Sequence, residues 1–133
     1  MFVDAGFCGD DEDGYSTSGG WIQLTGPSTQ FPLAWLSKKQ STVARSTTEA
    51  ETVALSYVLY EEGLPMLELW EQMLNGEVRL RVREDNEATA KIVLAGYSKR
   101  LRHLRSTQKI HLASLSEELN QPDVELMLVN RLF

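Results

Sequence analysis

The chain has 133 residues, 42% of them hydrophobic and 24% charged, with a formal net charge of −6 at pH 7. Length and composition fit one soluble globular domain, residues 1–133, with a sizeable core. A single cysteine, Cys8, excludes a disulfide framework and a cysteine-based zinc site, and the sequence shows no signal peptide and no apolar run of membrane-spanning length, which fits an intracellular, cytoplasmic or nuclear protein rather than a secreted one.

MFVDA predicts a first strand carrying Asp4. GDDEDG misses the calcium-loop pattern, with Gly9 and Gly20 where its first and last carboxylates belong, and reads as a turn. GGWIQLTG and FPLAWLS predict an antiparallel hairpin with a longish loop around Gly26, Pro27 and Ser28. A first helix is expected from about Glu49 to Glu62. Gly63 and Pro65 interrupt it, and PMLELWEQMLN restarts with Pro65 in the first turn. EVRLRVRED alternates Val78, Leu80 and Val82 with Arg79, Arg81 and Arg83, a strand with one wet face. NEATAKIVLAG predicts a helix closed by Gly96. Leu101, Leu104, Leu112, Leu115 and Leu119 recur at helical spacing, so the segment that follows is expected to be mostly helical, and VELMLV predicts the last strand. An opening antiparallel meander followed by strands separated by helices gives an α/β (α+β) domain built on a mixed sheet. That class hosts many activities.

Charge is unevenly spread. YSKRLRHLRSTQKIH, residues 97–111, holds five basic side chains, two histidines and no acid, so subtracting its +5 leaves −11 for the rest. Screening confines each charge to a neighbourhood of roughly 10 Å, so a basic stripe on an acidic protein can still attract phosphate. A solvated helix face is an equally good reading.

Glu49 and Glu51 stand one residue apart in RSTTEAETVAL and point to different sides of a helix. Ala54, Leu55 and Val58 fall within about 60° of Glu51 on a helical wheel, whereas Glu49 lies opposite with Thr52 and Ser56. A carboxylate on the apolar face is costly to ionise unless it is paired. Two explanations stand. Thr48 and Glu51 can form a capping box at the helix start. Alternatively, Glu51 can join other acids around a cation. Asp4 in the first strand and Asp85 at the end of the fourth are placed for this if the two strands are neighbours, as a right-handed crossover permits. Singly, Asp4 reads as a turn residue and Asp85 as a helix cap. Together the three suit magnesium, a hard cation that prefers oxygen ligands.

The run GYSTSGGWIQL…LAWLSKKQSTVARSTTEAETVAL, followed by REDNEATAKIV and more weakly by RSTQKIHL, resembles the ribonuclease H domain of copia-type retrotransposon polyproteins over nearly the whole chain. The resemblance implies a ribonuclease H-like fold, a five-stranded mixed sheet whose first three strands are antiparallel. It implies hydrolysis of the RNA strand of RNA–DNA hybrids by two-metal catalysis, with Asp4, Glu51 and Asp85 as catalytic and metal-binding residues for Mg²⁺, or Mn²⁺ in its place. Lys99, Arg100, Arg102, Arg105 and Lys109 would contact hybrid phosphates, as would Lys38, Lys39, Ser41 and Thr42, although an ordinary polar loop explains the last four equally well. Partner segments would be the reverse transcriptase and integrase of a parent polyprotein, of which this chain would be a fragment, and no membrane is involved. Family members carry a fourth acid in an Ala-Asp pair beyond the last strand, and a terminal helix. Neither has a counterpart before Phe133, and the first strand is short at Met1. Gly6 and His111 also replace acids of the family pattern. A catalytically inactive remnant that only binds nucleic acid or a polyprotein partner is the alternative.

Overall fold

A computed structural model describes residues 1–7, 14–75 and 78–129 of the chain. The expected turn at GDDEDG, apart from Gly14, lies outside the described residues, as do Cys8 and the terminal NRLF. The elements are β1 (Phe2–Gly6), β2 (Thr17–Gly26), β3 (Thr29–Lys39), α1 (Thr47–Val58), α2 (Leu64–Leu74), β4 (Leu80–Glu84), α3 (Glu87–Ala95), α4 (Leu104–Thr107), α5 (Leu112–Leu119) and β5 (Val124–Leu128). The strands form one five-stranded mixed sheet in the order β3-β2-β1-β4-β5. β1, β2 and β3 run antiparallel, while β4 is parallel to both β1 and β5. No helix among the described residues is long and apolar enough to cross a membrane.

The hairpin is tighter than expected. Its ladder continues to Gly26↔Thr29, leaving only Pro27 and Ser28 as the turn. Nor do Gly63 and Pro65 break the helix. A π turn, Leu59–Gly63, joins α1 directly to α2. The wider turn changes the hydrogen-bonding register where Pro65 has no N–H to give. Gly63 also brings the helix close to the sheet, since a Cβ there would sit 2.8 Å from Met1 Sδ. Gly20 does the same on β2, where a Cβ would meet both Val58 γ-carbons at 2.8 Å.

Between the helices and the sheet lies the main core, with Val3, Leu55, Val58, Leu59, Val82, Val93 and Leu115 fully buried. The opposite sheet face carries Trp21 stacked on an exposed Trp35. The basic segment departs most from expectation. Of residues 97–111 only α4 is helical, and the rest is turn and loop. Leu101, Leu104, Ile110 and Leu112 nevertheless bury together, against Val53 of α1 and Ile92 of α3. Here the leucine spacing reported a packed face without reporting a continuous helix.

Candidate metal centre

α1 begins at Ser46, whose hydroxyl accepts the Glu49 N–H at 3.1 Å. Ser46, not Thr48, is therefore the cap, which leaves Glu51 free of the capping role. Gln40 fixes the helix against the strands, its Nε2 donating to Ser18 Oγ at 3.1 Å and to the Ala50 carbonyl at 3.0 Å. One residue further on, Glu51 is buried and one of its oxygens, Oε2, has no hydrogen-bond partner.

The parallel pairing of β1 with β4 brings the other two acids to it. Asp4 is held in part by its own backbone, Oδ1 accepting the Ala5 N–H at 2.9 Å. Asp85 follows β4 directly and is exposed. Asp4, Glu51 and Asp85 each offer a carboxylate oxygen, and these three lie within 4.8 Å of one another. This cluster of acidic residues could hold a metal ion. Its donor set is entirely hard oxygen, and the orphaned Glu51 oxygen is what a cation would satisfy.

A fourth acid, missed from the sequence, backs the cluster. Glu84, the last residue of β4, is completely buried, with Oε1 accepting the Asn86 N–H at 3.2 Å and Oε2 unpartnered. Extending the alternation of Leu80 and Val82 by one step puts position 84 on the inward face, so the signal was present. Burial, then the charges of Glu84, Asp4 and Asp85, push the Glu51 carboxyl up to about 9. Burial likewise pushes Glu84 up to about 7, against the hydrogen bond from Asn86.

Glu49 is buried too, contrary to the solvent-facing side expected for it. The basic segment covers it. His103 Nε2 lies 3.0 Å from Glu49 Oε2, Gln108 Nε2 donates to Oε1 at 3.3 Å, and the Arg45 N–H donates to Oε2 at 2.9 Å. Burial alone would raise this carboxyl, but these donors bring it below its ordinary value. Glu49→Ala removes three part-buried hydrogen bonds and is expected to cost about 2 kcal/mol, read by urea unfolding. It should also speed protease cleavage within residues 97–111.

Around this anchor lie the residues expected to touch nucleic acid. Lys99, Arg100, Arg102, Arg105 and Lys109 are all exposed. Thr42 Oγ1 donates to the Thr107 carbonyl at 3.4 Å, which places the 41–42 bend beside the basic segment. Lys38 and Lys39 end β3, with their ammonium groups over Tyr57 at 4.9 Å and Tyr15 at 5.8 Å. α1 thus presents Glu51 to the acidic cluster and Glu49 to the basic segment from different sides of one turn. No family model, curated protein or solved structure matches the chain.

Proposed function

We propose that the chain is a ribonuclease H-type endonuclease that hydrolyses the RNA strand of an RNA–DNA hybrid, as the ribonuclease H-like part of a retrotransposon polyprotein. The observation that carries this reading is the convergence of Asp4, Glu51 and Asp85, from three distant segments, within 4.8 Å. Magnesium suits that donor set, with manganese as a substitute; when bound, such ions supply the charge that activates water and stabilises a leaving 3′ oxygen. The three carboxylates would hold them, and Glu84 behind Glu51 would fix its orientation. Lys99, Arg100, Arg102, Arg105 and Lys109 would grip the phosphate backbones, with Lys38, Lys39, Ser41 and Thr42 extending the contact. Such contacts read duplex shape rather than base sequence.

The test is incubation of the purified chain with a hybrid labelled on its RNA strand, in Mg²⁺ and separately in Mn²⁺. Cleavage of the RNA strand that falls on the order of a hundredfold or more in Asp85→Asn is expected. No cleavage with either ion, or cleavage indifferent to Asp85→Asn, would end the enzyme reading. Hybrid binding should weaken steeply with salt, and neutralising Arg102 and Arg105 together should lower the slope of log affinity against log salt by about 2 units. An unchanged slope would remove the basic segment from the interface.

A further inference from the structure

We infer that Glu49 is a positioning residue for nucleic acid. It holds the cationic segment 97–111 in a fixed place relative to the acidic cluster, so that phosphate contacts and metal centre address the same stretch of hybrid. The inference rests on the reading of that segment as the phosphate-contacting surface, and adds the group that aims it.

The segment is a folded loop knit largely from within. The Leu104 carbonyl accepts the Gln108 N–H at 2.9 Å and the Ile110 N–H at 3.1 Å, and the chain reverses around Lys109 at φ 57°. The His103 carbonyl accepts the Thr107 N–H at 3.0 Å, together with the Ser106 and Thr107 hydroxyls. These bonds give the loop its shape, and α1 gives it a seat. Val53 packs against the cluster of Leu101, Leu104 and Ile110. Glu49, four residues earlier on the same helix face, meets His103 Nε2 at 3.0 Å and Gln108 Nε2 at 3.3 Å.

The two attachments differ in what they fix. Apolar burial is non-directional, so the leucine contact keeps the loop on α1 without deciding where along the helix it sits. Hydrogen bonds have preferred lengths and directions. The Arg45 N–H holds the Glu49 carboxylate from its own side at 2.9 Å, so the group can act as a fixed point for His103 and Gln108. The cations stand beside those two residues. Arg102 precedes His103, Lys109 follows Gln108 and Arg105 lies between, all three exposed while Glu49 is buried. Glu51 belongs to the acidic cluster and lies two residues along the same helix, a rise of about 3 Å. One turn of α1 therefore sets the spacing between the cations and the carboxylates.

Electrostatics alone predicts the opposite sign. Glu49 is an acid beneath a basic surface, so deleting its charge should strengthen the attraction for phosphate. A positioning role predicts weaker binding although every Lys and Arg remains.

The test is binding of a fluorescent RNA–DNA hybrid to the full chain across a salt series in chelating buffer, where neither metal nor cleavage enters. Glu49→Ala is expected to weaken binding roughly tenfold and to lower the slope of log affinity against log salt by about 2 units. A cooperative urea transition in the same variant shows that the main core is folded. Gln108→Ala changes no charge and leaves α1 intact, and should weaken binding about threefold. Unchanged or tighter binding in either folded variant would overturn the proposal, as would a wild-type chain that binds no hybrid. Absence of RNA cleavage in Mg²⁺ bears on the enzyme reading alone, so the two failures are distinguishable.

Discussion

Glu51→Gln should make the metal-free chain more stable and the metal-dependent chain useless. In the folded protein the Glu51 carboxyl sits at about 9, against an ordinary 4.5. At neutral pH folding must therefore either take up a proton or bury a charge facing Asp4, Asp85 and Glu84, which is a cost the unfolded chain escapes. Glutamine has the same shape and no charge, so the variant should gain about 2 kcal/mol in urea unfolding measured in a chelating buffer. Magnesium should then stabilise the wild-type chain and leave the variant unmoved, because a neutral amide is a poor third ligand beside Asp4 and Asp85. Cleavage of a hybrid should fall on the order of a hundredfold or more in the same protein. A variant that is destabilised without metal would show that Glu51 is held by favourable contacts, and the cluster would lose its character as a strained cation site.

The inward glutamate was legible because it depends only on local geometry. Once α1 exists, the placement of Glu51 among Ala54, Leu55 and Val58 follows from the 3.6-residue repeat. The neighbourhood of β1 and β4 needed one further rule, the handedness of crossovers. Glu49 was misread because no local rule announces that a segment fifty residues later will fold over it. His103 and Gln108 bury a side chain that the wheel assigns to solvent. The same long-range packing explains the basic segment. Leu101 and Leu104 had the spacing of a helix, but Lys109 adopts φ 57°, and the chain turns there instead of continuing. The continuous passage from α1 to α2 escaped a reading based on Gly63 and Pro65, since a π turn has no composition of its own and Gly63 serves the approach to Met1.

Stability of the metal-free chain should fall as pH rises from weakly acidic to weakly alkaline. Glu51, raised from 4.5 to about 9, and Glu84, raised from 4.5 to about 7, both bind protons more tightly folded than unfolded. Their contribution is complete below the unfolded value and is lost as pH rises through the folded ones, Glu84 first and Glu51 after it. A chelated sample should therefore melt roughly 5 °C lower at pH 8 than at pH 5.5, the larger share of the fall coming from Glu51. Glu49 acts in the opposite direction. Its carboxyl lies below the ordinary value, so its stabilisation is lost only as pH falls below 4.5, and the optimum should sit just above that. Glu84→Gln should flatten the segment up to about pH 7 and leave the segment above it sloping. Magnesium should flatten the whole curve in the wild-type chain, because ligation requires carboxylates to be deprotonated and so becomes stronger as the proton's hold weakens. Melting curves across pH with and without the ion check each statement. A chelated chain whose melting temperature rises steadily to pH 8 would mean that these acids are not forced together, and the affinity of the cluster for a divalent ion would lose its physical basis.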